Sequence, residues 1–240
     1  MHEAKISDIN QYKNFNDFFT RQLKDDARPV NQETDLIVSP ADGAISESGP
    51  IQKDRLLQAK GQTFSAVDLL GGKVEHAEIF QDGCFITIYL SPRDYHRVHM
   101  PVAGTLQKTV YVPGKLFSVN QATANSVPNL FSRNERLVCF FDTDLGPMAL
   151  VLIGAMIVAG IETVWSGKSY PNKHGLLETD YVEHSPPIQL SKGSEMGRFQ
   201  LGSTVILLFG PGAVVLNDEL QSGYDVKLGE PLATLNRAID

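Results

Sequence analysis

Three short segments of the 240-residue chain carry side chains that could do chemistry together. The first, S-P-A-D-G, places Asp42 in a turn bounded by proline and glycine. The second places His96 and His99 three residues apart after an apolar run, and the third places Ser203 behind a glycine at the start of another. A serine hydroxyl becomes a nucleophile when an imidazole takes its proton and a carboxylate orients that imidazole. Together the segments predict an acid, a base and a nucleophile.

Each segment alone has a simpler interpretation. Asp42 could bond backbone N–H groups of its own turn, both histidines could be ordinary core or surface residues, and Gly202–Ser203 could be a turn before a strand. Ser203 lacks a surrounding G-x-S-x-G elbow and precedes a strand rather than a helix, which disfavours an α/β-hydrolase. Two alternatives stay open: a serine hydrolase without self-cleavage, and a non-enzymatic binding module that needs none of these residues.

The elements that must position these side chains are mostly β-strands. Short β-branched and aromatic runs separated by Gly and Pro are typical of strands. The runs are 37–38, 84–90, 105–112, 137–141, 149–158 and 204–209. A repeated P-x-x-G frame at Pro40 and Pro101 is similar to the turns of small sandwiched barrels. We therefore expect an α+β, mostly β fold, with a sandwiched or barrel-like antiparallel core and a few peripheral helices.

Two helices are predicted outside these strands. Residues 9–23 carry aromatic and aliphatic side chains at steps of three and four, the pattern of an amphipathic helix. This helix could dock on the protein's own core, or lie at a membrane interface. A second helix is predicted over 63–70, where two glycines end it. We expect residues 1–35 to form an N-terminal helical segment and residues 36–240 a β-rich catalytic domain.

Composition excludes several classes of protein. The net charge of -7 disfavours a nucleic-acid binder, which needs a basic face. Cys84 and Cys139 show neither zinc-ligand nor disulfide spacing. The longest apolar stretch, 148–161, falls short of the roughly 20 residues of a membrane span, and no signal peptide is recognised. His174 and His184 lie in a polar stretch that is typical of a solvated loop, so no metal site is expected.

The chain resembles the bacterial phosphatidylserine decarboxylases in six segments, in order, from about Phe15 to Leu232. These segments are S-P-A-D-G, Y-L-S-P-R-D-Y-H-R-V-H-M-P, V-P-G-K-L-F-S-V-N, L-F-S-R-N-E-R, G-A-M-I-V-A-G-I-E-T-V-W and E-M-G-R-F-Q-L-G-S-T-V-I. In that family L-G-S-T is the self-processing site. The resemblance implies self-cleavage between Gly202 and Ser203, with Asp42 orienting His99 as the base.

The same resemblance implies the cofactor and the reaction. Ser203 would become a pyruvoyl group that forms a Schiff base with the substrate, phosphatidylserine, and the products would be phosphatidylethanolamine and CO2. His96 is the candidate proton donor, because an imidazole titrates near neutral pH. Arg93 and Arg97 are candidates to bind the lipid phosphate, and structural salt bridges are the alternative for both.

Partners and location also follow from the resemblance. Cleavage would leave fragments of 202 and 38 residues held together as a heterodimer, which we expect to pair further into a homodimer. Family members act at the cytoplasmic side of the bacterial cell membrane as peripheral proteins. They usually begin with additional hydrophobic helices, whereas this chain starts just before F-N-D-F-F-T-R-Q-L. We therefore expect an N-terminally shortened, soluble form.

Overall fold

The computed structural model describes residues 1–59, 61–155, 160–169, 175–200 and 203–236. Antiparallel strands dominate, with a few short helices, which confirms the predicted α+β, mostly β class. The helices are a 3-10 turn (Ile9–Gln11), α1 (Phe15–Phe19), α2 (Ala66–Leu69), α3 (Val74–Glu78), α4 (Gln121–Ala124) and α5 (Leu130–Arg133). The strands are β1 (Leu36–Val38), β2 (Gly43–Pro50), β3 (Arg55–Ala59), β4 (Gln62–Ser65), β5 (Cys84–Leu90), β6 (Arg97–His99), β7 (Gly104–Val112), β8 (Arg136–Thr143), β9 (Gly146–Gly154), β10 (Ile161–Thr163), β11 (Gly167–Ser169), β12 (Leu177–Asp180), β13 (Gln189–Leu190), β14 (Glu195–Phe199), β15 (Ser203–Phe209), β16 (Val214–Leu216), β17 (Asp225–Val226) and β18 (Pro231–Leu235).

One nine-stranded sheet organises the molecule. Its order is β12-β7-β8-β9-β15-β5-β2-β17, and β13 also pairs with β7. Three smaller sheets have the orders β11-β10-β14-β6, β1-β18-β16 and β3-β4. The large sheet ends in short edge strands, β12 and β17, that do not pair with each other. The predicted sandwiching of sheets is present, but the barrel-like closure is wrong.

Both faces of the large sheet are covered. One face packs against the sheets that contain β6, β14 and β18, which contribute Val98, Phe199 and Leu232 to the core on that side. The other face packs against the β3–β4 hairpin and the short helices, which contribute Phe64 and Leu69 to the core on that side. Strands buried on both faces read as continuous apolar runs rather than as alternating ones.

That rule explains why the central strands were recognisable. Every residue of β15 is buried, between β5 on one side and β9 on the other. The strands predicted at 84–90, 105–112, 137–141 and 204–209 are all confirmed, with bounds that differ by at most two residues. The strand predicted at 149–158 ends at Gly154, and its residues 156–158 lie outside the described part of the chain.

The N-terminal helix is shorter than predicted. In place of one helix over 9–23 there are the 3-10 turn and α1, separated by extended backbone at Asn14. The Asn14 side chain accepts the Asp17 N–H at 2.9 Å, so it caps a new helix instead of continuing the first. α1 ends at Phe19, which is buried, while Phe15 at its start is exposed.

The second predicted helix is partly confirmed. Residues 62–65 belong to β4, and Ser65 then caps α2 by accepting the Asp68 N–H. Gly71 and Gly72 follow with φ of +101° and +89°, as glycine after a helix often does. None of the helices in the described ranges has the length and apolar character that crossing a bilayer requires.

Candidate active site

Ser203 is the first residue of the central strand β15. Its Cα partners are Leu90 in β5 and Gly154 in β9. Because alternate residues of a strand share a face, Ser203 points to the same side as Val205 and Leu207, towards β6 and β14. The residue is 0% exposed, and its Oγ has no hydrogen-bond partner among the described residues. Leu201 and Gly202 lie outside those residues, so the predicted cleavage bond is not described.

His96 lies on the same side of the large sheet, just before β6. Its carbonyl accepts the Phe199 N–H at 3.0 Å, which ties it to β14 four residues ahead of Ser203. The imidazole is 0% exposed and lies 4.0 Å from the Phe19 ring, centroid to centroid. Nδ1 contacts the Asp94 carbonyl at 2.9 Å, and Nε2 has no partner within the described ranges. Burial lowers the pKa of His96 to about 4.

The hydrogen bonds of His96 define its chemical form. A carbonyl oxygen can only accept, so Nδ1 carries the hydrogen and Nε2 keeps its lone pair. With a lowered pKa the ring is neutral near pH 7. In this form Nε2 can accept a hydrogen bond or a proton from a bound group.

His99 ends β6 and has partners at both ring nitrogens. Nδ1 contacts the Gly193 carbonyl at 2.8 Å, and Nε2 contacts the Tyr95 hydroxyl at 3.1 Å. The carbonyl again assigns the hydrogen to Nδ1, so the Tyr95 O–H donates to Nε2. Burial lowers the pKa of His99 and raises that of Tyr95, which keeps the hydroxyl protonated.

Asp42 lies between β1 and β2, and the backbone brings it close to His99. The His99 N–H donates to the Pro40 carbonyl at 2.8 Å. The Asp42 carboxylate, however, accepts from the Arg28 guanidinium and from the Leu228 N–H. The sequence predicted that this carboxylate orients His99. In the structure the Gly193 carbonyl occupies Nδ1, the atom that such a carboxylate would need.

The two candidate phosphate-binding arginines differ in their surroundings. The side chain of Arg97 is largely buried, and donates to Glu195 at 2.6 Å and to the Thr20 carbonyl at 2.8 Å. These contacts support the structural alternative for Arg97. The side chain of Arg93 is 84% exposed and borders a polar cavity of about 360 Å³ that Asp42 and Tyr95 also line. Arg93 therefore stays available to an anionic ligand.

Three residues of the site were missed by sequence reasoning: Arg28, Tyr95 and Gly193. Arg28 lies in a polar segment without periodicity, and Gly193 acts through its backbone oxygen. No side-chain pattern could reveal either contact, because both depend on how distant segments pack. Tyr95 stands between Asp94 and His96, and its proximity to the histidines was the one available signal.

The remaining candidates fall outside the site. His184 bonds the Pro186 carbonyl at 2.7 Å through Nδ1, and His174 lies outside the described residues. Within the described ranges no cluster of three or more His, Cys, Asp or Glu side chains could hold a metal ion. Cys84 and Cys139 are free thiols whose pKa values are raised by burial.

Known proteins of similar sequence identify the family of this chain. The family model described as phosphatidylserine decarboxylase matches residues 15–234. The chain is 58% identical to the phosphatidylserine decarboxylase proenzyme of Pseudomonas aeruginosa (strain UCBPP-PA14), over 99% of this chain and 83% of that protein. It is 58% identical to the proenzyme of Ectopseudomonas mendocina (strain ymp), over 97% and 82%, and 56% identical to that of Pseudomonas fluorescens (strain Pf0-1), over 98% and 83%. The resemblance predicted from the sequence is confirmed, and the chain belongs to the phosphatidylserine decarboxylase family, a family of carboxy-lyases.

Proposed function

We propose that this chain is a proenzyme that cuts itself between Gly202 and Ser203, and that the product converts phosphatidylserine to phosphatidylethanolamine and CO2. One observation carries the proposal: Ser203 Oγ and His96 Nε2 are both buried on one side of the large sheet, and neither has a partner among the described residues. A buried polar group without a partner is costly and uncommon. A catalytic role is one of the reasons for which such atoms occur.

The cut begins with a proton transfer. Its supporting feature is the tautomer of His99, which leaves a lone pair on Nε2 to take the proton of Ser203 Oγ. In the structure the Tyr95 hydroxyl donates a hydrogen bond to that nitrogen. The hydroxyl must therefore move away before His99 takes the serine proton, or pass the proton on to His99. Oγ then forms a bond to the Gly202 carbonyl carbon, and the amide C–N bond breaks to leave an ester. The proton held by His99 passes to the Ser203 nitrogen, which becomes a free amine.

The ester is then resolved by elimination. Loss of the Ser203 Cα proton expels Gly202 as a carboxylate and leaves dehydroalanine at position 203. Water converts dehydroalanine to the pyruvoyl group and releases ammonia, so atoms balance without an oxidant. The products are Met1–Gly202 and Ser203–Asp240.

Asp42 would act on His99 through its charge in this step. Burial lowers the pKa of His99, the Gly193 carbonyl and Glu195 raise it, Arg97 lowers it, and the Asp42 carboxylate adds a smaller raising effect. The carboxylate thereby favours the imidazolium that forms when His99 takes the serine proton. This role does not require a direct hydrogen bond between the two side chains.

The pyruvoyl group supplies an electron sink for decarboxylation, as cofactors of this kind do. Its position at residue 203 fits a site from which strands on both sides exclude water. The task left to the protein is proton handling, for which His96 is suited because its Nε2 has no partner in the part of the chain that the structure describes. A bound substrate brings carboxylate and phosphate charges, which favour protonation of the imidazole. Arg93 is the candidate partner of the phosphate.

Access to a membrane lipid is the remaining requirement. Ile9 and Phe15 are 60% and 61% exposed near the start of the chain, on the segment whose Phe19 covers His96. We place this segment against the bilayer surface from which the substrate comes. Replacing Ile9 and Phe15 by Asp should reduce sedimentation with phosphatidylserine-containing vesicles, whereas unchanged sedimentation would remove this part of the proposal. Pairing of processed units into a homodimer stays a prediction.

The decisive experiment is denaturing electrophoresis with intact mass measurement. Wild-type protein should show fragments of 202 and 38 residues, the smaller one blocked at its N-terminus. Ser203→Ala should remain a single chain, and Ser126→Ala, at an exposed helix-end serine, should be cut normally. Asp42→Asn and His99→Ala should also block processing. An uncut wild-type chain that decarboxylates phosphatidylserine would contradict the proposal.

A further inference from the structure

Arg28 holds the Asp42 carboxylate through three contacts. Its Nε donates to Oδ1 at 2.9 Å and to Oδ2 at 3.0 Å, and its Nη2 donates to Oδ2 at 2.6 Å. Both side chains are about 10% exposed, so the pair is largely buried at the edge of the cavity that Asp42 lines. The Leu228 N–H, at 2.9 Å from Oδ1, is the other donor to this carboxylate.

The far side of the guanidinium is fixed as well. Nη1 and Nη2 donate to the two oxygens of Glu3 at 3.0 and 3.1 Å, and Nη1 also donates to the Ala27 carbonyl. Glu3 and Asp42 together raise the pKa of Arg28 above its ordinary value, so the charge is permanent. A planar group held on two edges cannot rotate, so the orientation of Arg28 is transmitted to Asp42.

The surroundings of His99 leave this orienting role to Arg28. Both ring nitrogens of His99 bond Gly193 and Tyr95, so the imidazole does not set the direction of the Asp42 carboxylate. We propose that Arg28 is a positioning residue for self-cleavage, which holds the Asp42 carboxylate in place so that its charge acts on His99. This inference rests on the proposed function.

The chemistry of the contact distinguishes arginine from lysine. A guanidinium presents parallel N–H groups that match the two carboxylate oxygens, whereas an ammonium is a single point of charge. Arg28→Lys keeps the positive charge but loses the two parallel N–H groups, so processing should slow but continue. Arg28→Ala leaves the buried carboxylate without its guanidinium partner, and we expect processing to slow by about 100-fold, the cost of a small misplacement.

The test measures processing rates of freshly refolded chains by denaturing electrophoresis. Arg28→Ala is assayed with and without millimolar methylguanidinium, and urea at the same concentration controls for solvent effects. Recovery of cleavage with methylguanidinium alone is the expected result, because the free cation restores the local contact. Circular dichroism with each assay shows that the variant is folded, and Arg28→Lys provides a second variant that keeps the charge.

Two controls separate this inference from the proposed function. Arg55→Ala removes an exposed arginine that bonds Thr63 in the β3–β4 hairpin, and it should be processed at the wild-type rate. If Arg28→Ala is folded and processed like wild type, or is slow and not rescued by methylguanidinium, the positioning role is overturned while the proposed function stands. If wild type itself is never cut, the proposed function fails instead.

Discussion

His96 is completely buried, and this burial determines how its ring responds to pH. Since burial lowers the pKa to about 4, the folded protein disfavours the proton that the unfolded chain accepts near pH 6.5. The free energy of unfolding is therefore highest above the unfolded pKa of 6.5. It falls as the pH decreases from there towards the folded pKa of about 4. His99, whose pKa is lowered too, adds to the same trend.

The first prediction concerns this loss of stability at lower pH. Between about pH 7 and about pH 5 the unfolding free energy should fall by roughly 2 kcal/mol on account of His96. Urea denaturation of the Ser203→Ala chain at the two pH values measures it, because that chain stays in one piece. His96→Gln should flatten the decline, and an equally steep decline in that variant would show that other groups cause it.

The second prediction separates the roles of the two histidines. His96→Ala should be cut at Gly202–Ser203 but lose decarboxylation by at least about 100-fold, the lower range for a proton-transfer group. His99→Ala should not be cut at all. Fragment analysis and CO2 release on the same samples give both readouts, and normal CO2 release from His96→Ala would remove its assigned role.

For single residues, the sequence predicted which side chains belong to the candidate site but not which groups they contact. Asp42, His99 and Ser203 stand out because their chemistry is reactive and their flanking glycines and prolines are unusual. The partners of Asp42 and His99 include Arg28 and the Gly193 carbonyl, which come from positions 14 and 94 residues away. Such contacts depend on the packing of separate loops, and one sequence carries no direct record of it.

The turn from Asp42 into β2 is the element on which the geometry of the acid depends. A Cβ on Gly43 would lie 2.4 Å from the Tyr89 carbonyl oxygen in β5, far inside contact distance. Only glycine allows the two strands to approach this closely. Asp42 is therefore placed by the strand pairing that its neighbour permits.

The third prediction tests this close approach. Gly43→Ala should push β2 away from β5, displace Asp42 and slow self-cleavage strongly. Gly210→Ala is the matched control, since its Cβ would meet the Ile79 carbonyl oxygen at an ordinary 3.5 Å. Processing time courses on denaturing gels compare the two variants. Equal rates would show that the position of Asp42 does not depend on Gly43.

The fourth prediction concerns the strand that begins with Ser203. Leu207→Ala in β15 removes a side chain with 0% exposure, which should cost about 2–5 kcal/mol of unfolding free energy. Val215→Ala in β16, where the side chain is 53% exposed, should cost far less. Urea denaturation of both variants in the Ser203→Ala background makes the comparison. Similar losses would contradict the central position of β15.

Across the whole molecule the proposed cut divides the chain without dividing the sheets. The segment that follows Ser203 supplies β15 to the nine-stranded sheet, β17 to the edge beside β2, and β16 and β18 to the sheet that holds β1. All of these except β16 pair with strands from the larger fragment. The small fragment is thus woven through two sheets.

The fifth prediction is that the fragments remain together after cleavage. Size-exclusion chromatography without denaturant should give one peak containing both, and denaturant should be required to separate them. Release of the small fragment in native buffer would show that strand pairing alone does not retain it.

At this scale the sequence predicted more than it did at the residue scale. Apolar strand runs identified the central sheet because burial on both faces leaves an unbroken hydrophobic signature. The open edges and the division into several sheets were not predictable, since they depend on which strands pair. The N-terminal helix was overestimated because aromatic spacing is shared by a helix and by two shorter turns.

The burial of Ser203 at the start of a middle strand has a consequence for timing. Asp42, His99 and Ser203 come from segments up to 161 residues apart, and only the folded stack of sheets gives each of them its position. Under the proposed mechanism a chain that misfolds cannot cut itself and so never acquires its reactive carbonyl. Cleavage then marks a chain as correctly folded, because only a folded chain breaks this peptide bond and the break is permanent.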